Sequence, residues 1–155
     1  MNTPNIELIT CEQGTPEWHA ARLGIVTASE FSKVLARGEG KVRSKYMRQL
    51  AGERLTKRQA DPFKGNAYMD NGKEMEPEAR ELLEIRTGLP IAQVGFIVNH
   101  DLRMGCSPDG LQGFNPTGDL APALAASNGV ELKCCLADIQ IERLLRGGLP
   151  SEYVA

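Results

Sequence analysis

The sequence predicts an α+β (α/β) fold of helices followed by a strand meander and a closing helix. Three observations carry this. Capped segments with helical spacing of apolar residues fill most of the first 90 positions. Short strand-like runs follow, "QVGFIVN", "RMGCS" and "VELKC", between residues 93 and 134. Helical spacing then returns in "ADIQIERLLRGG". That order suits a sheet covered by helices. With 155 residues, 41% of them hydrophobic and 25% charged, one domain over 1–155 with one core is expected.

Taken in order, "TPEWHAAR" starts a helix: Thr15 caps it, Pro16 suits its first turn and Trp18 anchors it. In "TASEFSKVLA", Thr27 and Glu30 have capping-box spacing, and Phe31, Val34 and Leu35 form the apolar stripe. Ser29 then falls in a helical first turn, where backbone N–H groups favour a phosphate, with Arg22 shortly before it. A plain capped helix with a surface arginine fits the same residues. A third helix spans Ser44 to Gln59, with Tyr46, Met47, Leu50 and Leu55 inward. "ADPFKGN" is a loop. A fourth helix spans Ala67 to Thr87, closed by Gly88, and Pro77 should kink or divide it near Glu76. Leu82, Leu83 and Ile85 serve the core of its second half.

The strands come next. Residues 93–99 and 103–107 form a hairpin. Residues 113–129 read as an irregular loop containing Asp119, which is left solvated. Residues 130–134 form a third strand. A helix over "ADIQIERLLRGG" and another opening "LPSEYVA" complete the pattern.

Charge and composition set limits. The formal net charge is −2, which does not advertise nucleic-acid binding, yet residues 41–58 are basic and residues 70–84 acidic. Such asymmetry permits an anion-binding face beside an acidic site, and equally two solvated helix faces. No run of about 18 apolar residues occurs, so no membrane span is expected. "MNTPNIELIT" lacks the form of a secretory signal, and a cytoplasmic location follows as the expectation. The cysteines are Cys11, Cys106, Cys134 and Cys135, with no C-x-x-C pair, and read as reduced thiols. His19 and His100 are not expected to act directly.

The chemistry concentrates in "CSPDGL" and "VELKC". Asp109 is held between Pro108 and Gly110. Glu131 and Lys133 share one face of their expected strand, with Leu132 on the other. Two carboxylates suit Mg²⁺ or Mn²⁺, to which the Leu132 carbonyl adds a hard oxygen. Lys133 would orient a water and stabilise developing negative charge. On its own, E-x-K is a common solvated strand face.

Context sharpens this. From "WHAARLGIVTASEF" through "GKEMEPEAR" and "MGCSPDGL" to "VELKC", the chain resembles the phage-type alkaline exonucleases. That family comprises bacteriophage lambda exonuclease and the YqaJ-like viral recombinases, within the PD-(D/E)xK nuclease superfamily. The resemblance implies a restriction-endonuclease-like core, a central mixed β-sheet flanked by helices. It implies Asp109 and Glu131 as metal ligands, Leu132 as a carbonyl ligand and Lys133 as the catalytic lysine. It implies Glu76 as support for a second ion, so two Mg²⁺ or Mn²⁺ ions in all. Arg22, Ser29 and Ser107 are implied to grip a DNA 5′-phosphate. The implied activity is 5′→3′ digestion of duplex DNA ends, leaving 3′ single-stranded tails for recombination. Implied partners are double-stranded DNA ends, a single-strand annealing protein and a homotrimer, in a bacterial host or encoded by a prophage. Rival readings are a related endonuclease, a Cas4-like nuclease with a cysteine-held iron–sulfur cluster, and an inactive DNA-end-binding fragment. Residues 112–129 form a longer loop than in compact members, and the family continues past "SEYVA", so a C-terminal part is expected to be missing.

Overall fold

The computed structural model describes residues 4–37, 40–60, 67–115 and 120–147, with side chains from 72 onward in the third stretch. The elements are β1 (Ile6–Ile9), α1 (Pro16–Ala21), β2 (Val26–Thr27), α2 (Phe31–Leu35), α3 (Lys41–Thr56), α4 (Ala67–Thr87), β3 (Ile91–Ala92), β4 (Phe96–Asn99), β5 (Met104–Cys106), β6 (Gly110–Gln112), α5 (Leu120–Ala125), β7 (Asn128–Val130) and α6 (Ala137–Arg146). The mixed α/β architecture expected from the sequence is present. The chain divides into two compact units, Met1–Pro62 with Leu89–Glu131, and Phe63–Gly88 with Leu132–Ala155.

The first unit holds both sheets. One is mixed, in the order β1-β4-β5-β2, and the other is antiparallel, in the order β3-β6-β7. The β4–β5 hairpin forms as expected, pairing Val98 with Gly105 and Asn99 with Met104. Strand β1 was not anticipated; its register runs from Ile6 opposite Asn99 to Ile9 opposite Phe96. The parallel pair sets Val26 beside Met104 and Thr27 beside Gly105.

The core of this unit follows the strand period. Phe96 and Val98 are fully buried on one face of β4, joined by Ile91, Val94, Leu111, Tyr46 and Leu50. Gly105 is demanded by this packing. A Cβ there would run into the Phe96 ring, with Cε2 at 2.8 Å, and the Ile97 carbonyl, at 2.7 Å.

Helix α3 begins and ends earlier than expected. Its inward face is Tyr46, Leu50 and Glu53, spaced by four and three residues. Met47 and Leu55 fall off that stripe and are exposed.

In the second unit, α4 keeps its expected bounds, and Gly88 closes it with φ +69°. Pro77 lies inside the helix without dividing it. The less exposed face runs through Gly72, Glu76, Ala79, Arg80 and Leu83. Leu82 and Ile85 are therefore exposed rather than inward. Helix α6 forms as expected, ending at Gly147.

Two further readings change. Residues 113–129 contain helix α5 and the start of β7. The strand expected over 130–134 stops at Val130, the residue opposite Gly110, where its partner β6 begins. Cys134 and Cys135 are thus not on a strand. The "ADPFKGN" loop beyond Ala60, Asp119 and the helix over "LPSEYVA" lie outside the described residues.

Two glycine substitutions should act in opposite directions. Gly105→Ala should lower unfolding stability by about 1–3 kcal/mol through overpacking against Phe96. Gly52→Ala, with nothing within 4 Å of the added Cβ, should raise it by about 0.5–1 kcal/mol. Urea denaturation followed by circular dichroism reads both.

Candidate functional site

The site begins with a short helix. Thr15 caps α1, its Oγ accepting from the Trp18 amide at 3.3 Å. Trp18 and Arg22 are four residues apart and so share a helix face. The Arg22 guanidinium lies over the Trp18 ring, 3.9 Å from its centroid, and 5.6 Å from the Phe96 centroid. Burial pushes the Arg22 pKa below the ordinary arginine value, opposed by nearby Tyr46 and Glu30. A partly desolvated cation gains more from an anion than an exposed one does.

Ser107 meets this pair. Its Oγ accepts from Trp18 Nε1 at 2.9 Å and from Arg22 Nη1 at 3.2 Å. The indole N–H also reaches the Gly95 carbonyl at 3.3 Å. Two donors occupy both lone pairs of the hydroxyl, so its own proton is left to donate. Arg22 and Ser107 together offer donors to an incoming anion.

Thr27 and Ser29 lie beside them. The expected capping box does not form. Residues Ala28–Glu30 make a 3-10 turn, Thr27 makes no side-chain cap bond, and Glu30 pairs with Lys33. The Thr27 and Ser29 hydroxyls face each other instead, at 3.3 Å. Thr27 is buried at the end of β2, committed to the sheet rather than to a helix cap. Ser29 therefore sits in a 3-10 turn, not in the first turn of an α-helix.

The loop between Arg22 and Thr27 is clamped by α3. The Gly24 N–H donates to Glu53 Oε2 at 3.0 Å, and the Gly24 carbonyl accepts from Arg54 Nε at 2.7 Å. Gly24 has φ +68°, and a Cβ there would collide with the Arg54 side chain. Glu53 is buried, its Oε1 accepting from Gln49 Nε2 at 3.1 Å and from the Ala60 N–H at 3.4 Å. No sequence motif announced this clamp.

The parallel pairing of β2 and β5 makes both chains leave the sheet at the same edge. There a cleft of about 490 Å³ is lined by Arg22 and Thr27–Ser29, by Cys106–Asp109, and by Gly129–Glu131. Five residues singled out from the sequence thus meet in one place: Arg22, Ser29, Ser107, Asp109 and Glu131. The Asp109 N–H donates to the Val130 carbonyl at 3.0 Å, and Gly110 pairs with Val130, which brings Glu131 alongside. Burial pushes the Cys106 thiol pKa up, which keeps it protonated and poorly nucleophilic.

The other three sequence-derived residues belong to the second unit. Leu132 is half-buried and Lys133 exposed, both in the irregular segment after β7. Glu76 forms an ion pair with Arg80 one turn further along α4.

Among the described residues no three His, Cys, Asp or Glu side chains gather. The cleft's own donors are two carboxylates. They fit Mg²⁺, which is commonly held by one or two carboxylates while waters and substrate phosphates complete its shell.

A family model for the YqaJ-like viral recombinase domain matches residues 17–155. The chain belongs to this family. Among solved structures it is similar to the alkaline exonuclease LHK-Exo from Laribacter hongkongensis, at 37% identity and a TM-score of 0.62. That match covers 90% of this chain and 63% of the other. The same exonuclease solved in complex with dAMP matches at 37% identity and a TM-score of 0.64, covering 90% of this chain and 64% of that one. This YqaJ-family chain therefore spans less than two thirds of the length of those relatives. No curated protein sequence matches it.

The Gly24 clamp is open to test. Glu53→Ala should cost about 1–3 kcal/mol, because the buried Gly24 N–H loses its acceptor. Gln49→Ala, which removes a donor to the same carboxylate, should cost less. Chemical denaturation of both variants measures the difference.

Proposed function

We propose that this chain is the nuclease domain of a metal-dependent 5′→3′ exonuclease that digests duplex DNA from its ends. The observation that carries the reading is the single cleft joining Arg22, Ser29 and Ser107 to the carboxylates Asp109 and Glu131. An anion seat beside a carboxylate pair is what trimming from a phosphorylated end requires. The likeness to an alkaline exonuclease supports this, as does that enzyme's complex with dAMP, a deoxynucleoside monophosphate.

Arg22, Ser29 and Ser107 grip the terminal 5′-phosphate, which presents the next phosphodiester to Asp109 and Glu131. These two carboxylates would hold Mg²⁺ or Mn²⁺; the Leu132 carbonyl as a further ligand and Glu76 as support for a second ion are what the family resemblance implies. A divalent ion bound there supplies Lewis-acid polarisation of the phosphodiester and a lowered pKa for bound water. Lys133, two residues beyond Glu131, orients the attacking water and offsets developing negative charge. The product strand is a 3′ single-stranded tail for phage-type recombination. Its partners are duplex DNA ends, a single-strand annealing protein and two further copies in a homotrimer. The setting is the cytoplasm of a bacterial host, with the gene carried by a phage or prophage. Among the described residues no helix is long and apolar enough to cross a membrane.

Linear duplex DNA bearing a 5′-phosphate or a 5′-hydroxyl, beside a closed circle, tests this in Mg²⁺ and in EDTA. The phosphorylated linear strand should be lost in Mg²⁺ alone while the circle survives. A cut circle would make the protein an endonuclease, and an intact linear strand would remove the nuclease reading. Lys133→Ala should lower cleavage by about 10²–10³-fold and leave end binding close to that of the parent. Arg22→Ala should abolish the preference for 5′-phosphorylated ends.

A further inference from the structure

Gln13 lies outside every motif discussed so far. It is half-buried in the turn before α1, and it is not among the residues lining the cleft. Its Nε2 donates to two carbonyls, Val94 at 3.0 Å and Pro108 at 3.0 Å. Val94 is buried and leads into β4. Pro108 directly precedes Asp109.

The Pro108 carbonyl and the Asp109 N–H belong to one planar peptide unit. Gln13 holds its oxygen, and the Val130 carbonyl accepts from its N–H at 3.0 Å. The plane is gripped from both edges. The pyrrolidine ring already fixes φ of Pro108. Rotation about ψ of Pro108 is the remaining freedom upstream of Asp109, and the Gln13 bond opposes it. Turning that plane would swing the Asp109 Cα–Cβ bond and redirect the carboxylate within the cleft that Asp109 and Glu131 both line. The Val94 bond ties the same amide to the core, so the plane is referenced to the rigid part of the unit.

We infer that Gln13 is a positioning residue that sets the direction of the Asp109 carboxylate toward a divalent cation. This deepens the proposed function and rests on its reading of Asp109 as a metal ligand. Partners that orient a ligand typically matter about 10–100-fold in metal affinity or activity.

The test uses the full chain and Gln13→Met, which keeps the length of the side chain and removes both donors. Mn²⁺ alone is titrated by calorimetry, turnover is measured at saturating 5′-phosphorylated duplex, and binding of that duplex is measured in EDTA. Gln13→Met should weaken Mn²⁺ binding and lower turnover by about 10–100-fold each, with duplex affinity within about two-fold of the parent. Unchanged Mn²⁺ binding and turnover would overturn the inference. So would a parallel loss of duplex affinity, which would mark a general structural role. Gln13→Asn is one carbon too short to reach both carbonyls and should give an intermediate loss. It carries the same test if the methionine variant fails to fold. A parent that neither binds Mn²⁺ nor cleaves would sink the proposed function and this inference with it. A parent that does both beside an indistinguishable Gln13→Met would sink the inference alone.

Discussion

A phenyl ring occupies the space that a side chain at residue 105 would fill, and the cleft depends on that arrangement. Phe96 is fully buried, and Gly105 lets its ring lie against β5. This contact holds the β4–β5 hairpin at the register that pairs Val98 with Gly105. The other side of Gly105 is paired in parallel with Thr27. One buried ring thus aligns three strands and brings the ends of β2 and β5 to a common edge. The same ring lies within reach of the Arg22 guanidinium.

Around that apolar centre the polar groups are held in pairs. Ser107 accepts from two donors, Gly24 is gripped at both its N–H and its carbonyl, and Gln13 spans two carbonyls. Each arrangement fixes a backbone or hydroxyl direction that a single bond would leave free to turn. Among the described residues no buried side-chain nitrogen or oxygen lacks a partner. In a low-dielectric setting, fully satisfied networks of this kind rigidify what they hold. The segments so held, Arg22–Ser29 and Ser107–Asp109, both contribute to the lining of the cleft. Glu131 differs, since it is exposed and follows the last paired residue of β7.

The sequence by itself determined the elements whose signals are local. The Thr15–Pro16 start of α1, the bounds of α4 and its Gly88 stop, the β4–β5 hairpin and α6 were all legible. Caps, prolines, glycines and period act over a few residues, whatever the rest of the chain does. The motif residues Arg22, Ser29, Ser107, Asp109 and Glu131 were legible too, because their order resembles a known family. Tertiary structure decided what depends on partners distant in sequence. Thr27 abandoned its capping role because pairing with Gly105 claimed it for the sheet. The strand ended at Val130 because its partner β6, about twenty residues earlier, begins at Gly110. Met47 left the core because only the stripe through Tyr46, Leu50 and Glu53 faces inward. Gln13, Glu53 and Arg54 carry no local signal at all. Their roles arise from hydrogen bonds to carbonyls and amides 29 to 95 residues away, and a chain read in one dimension does not disclose which of them will meet.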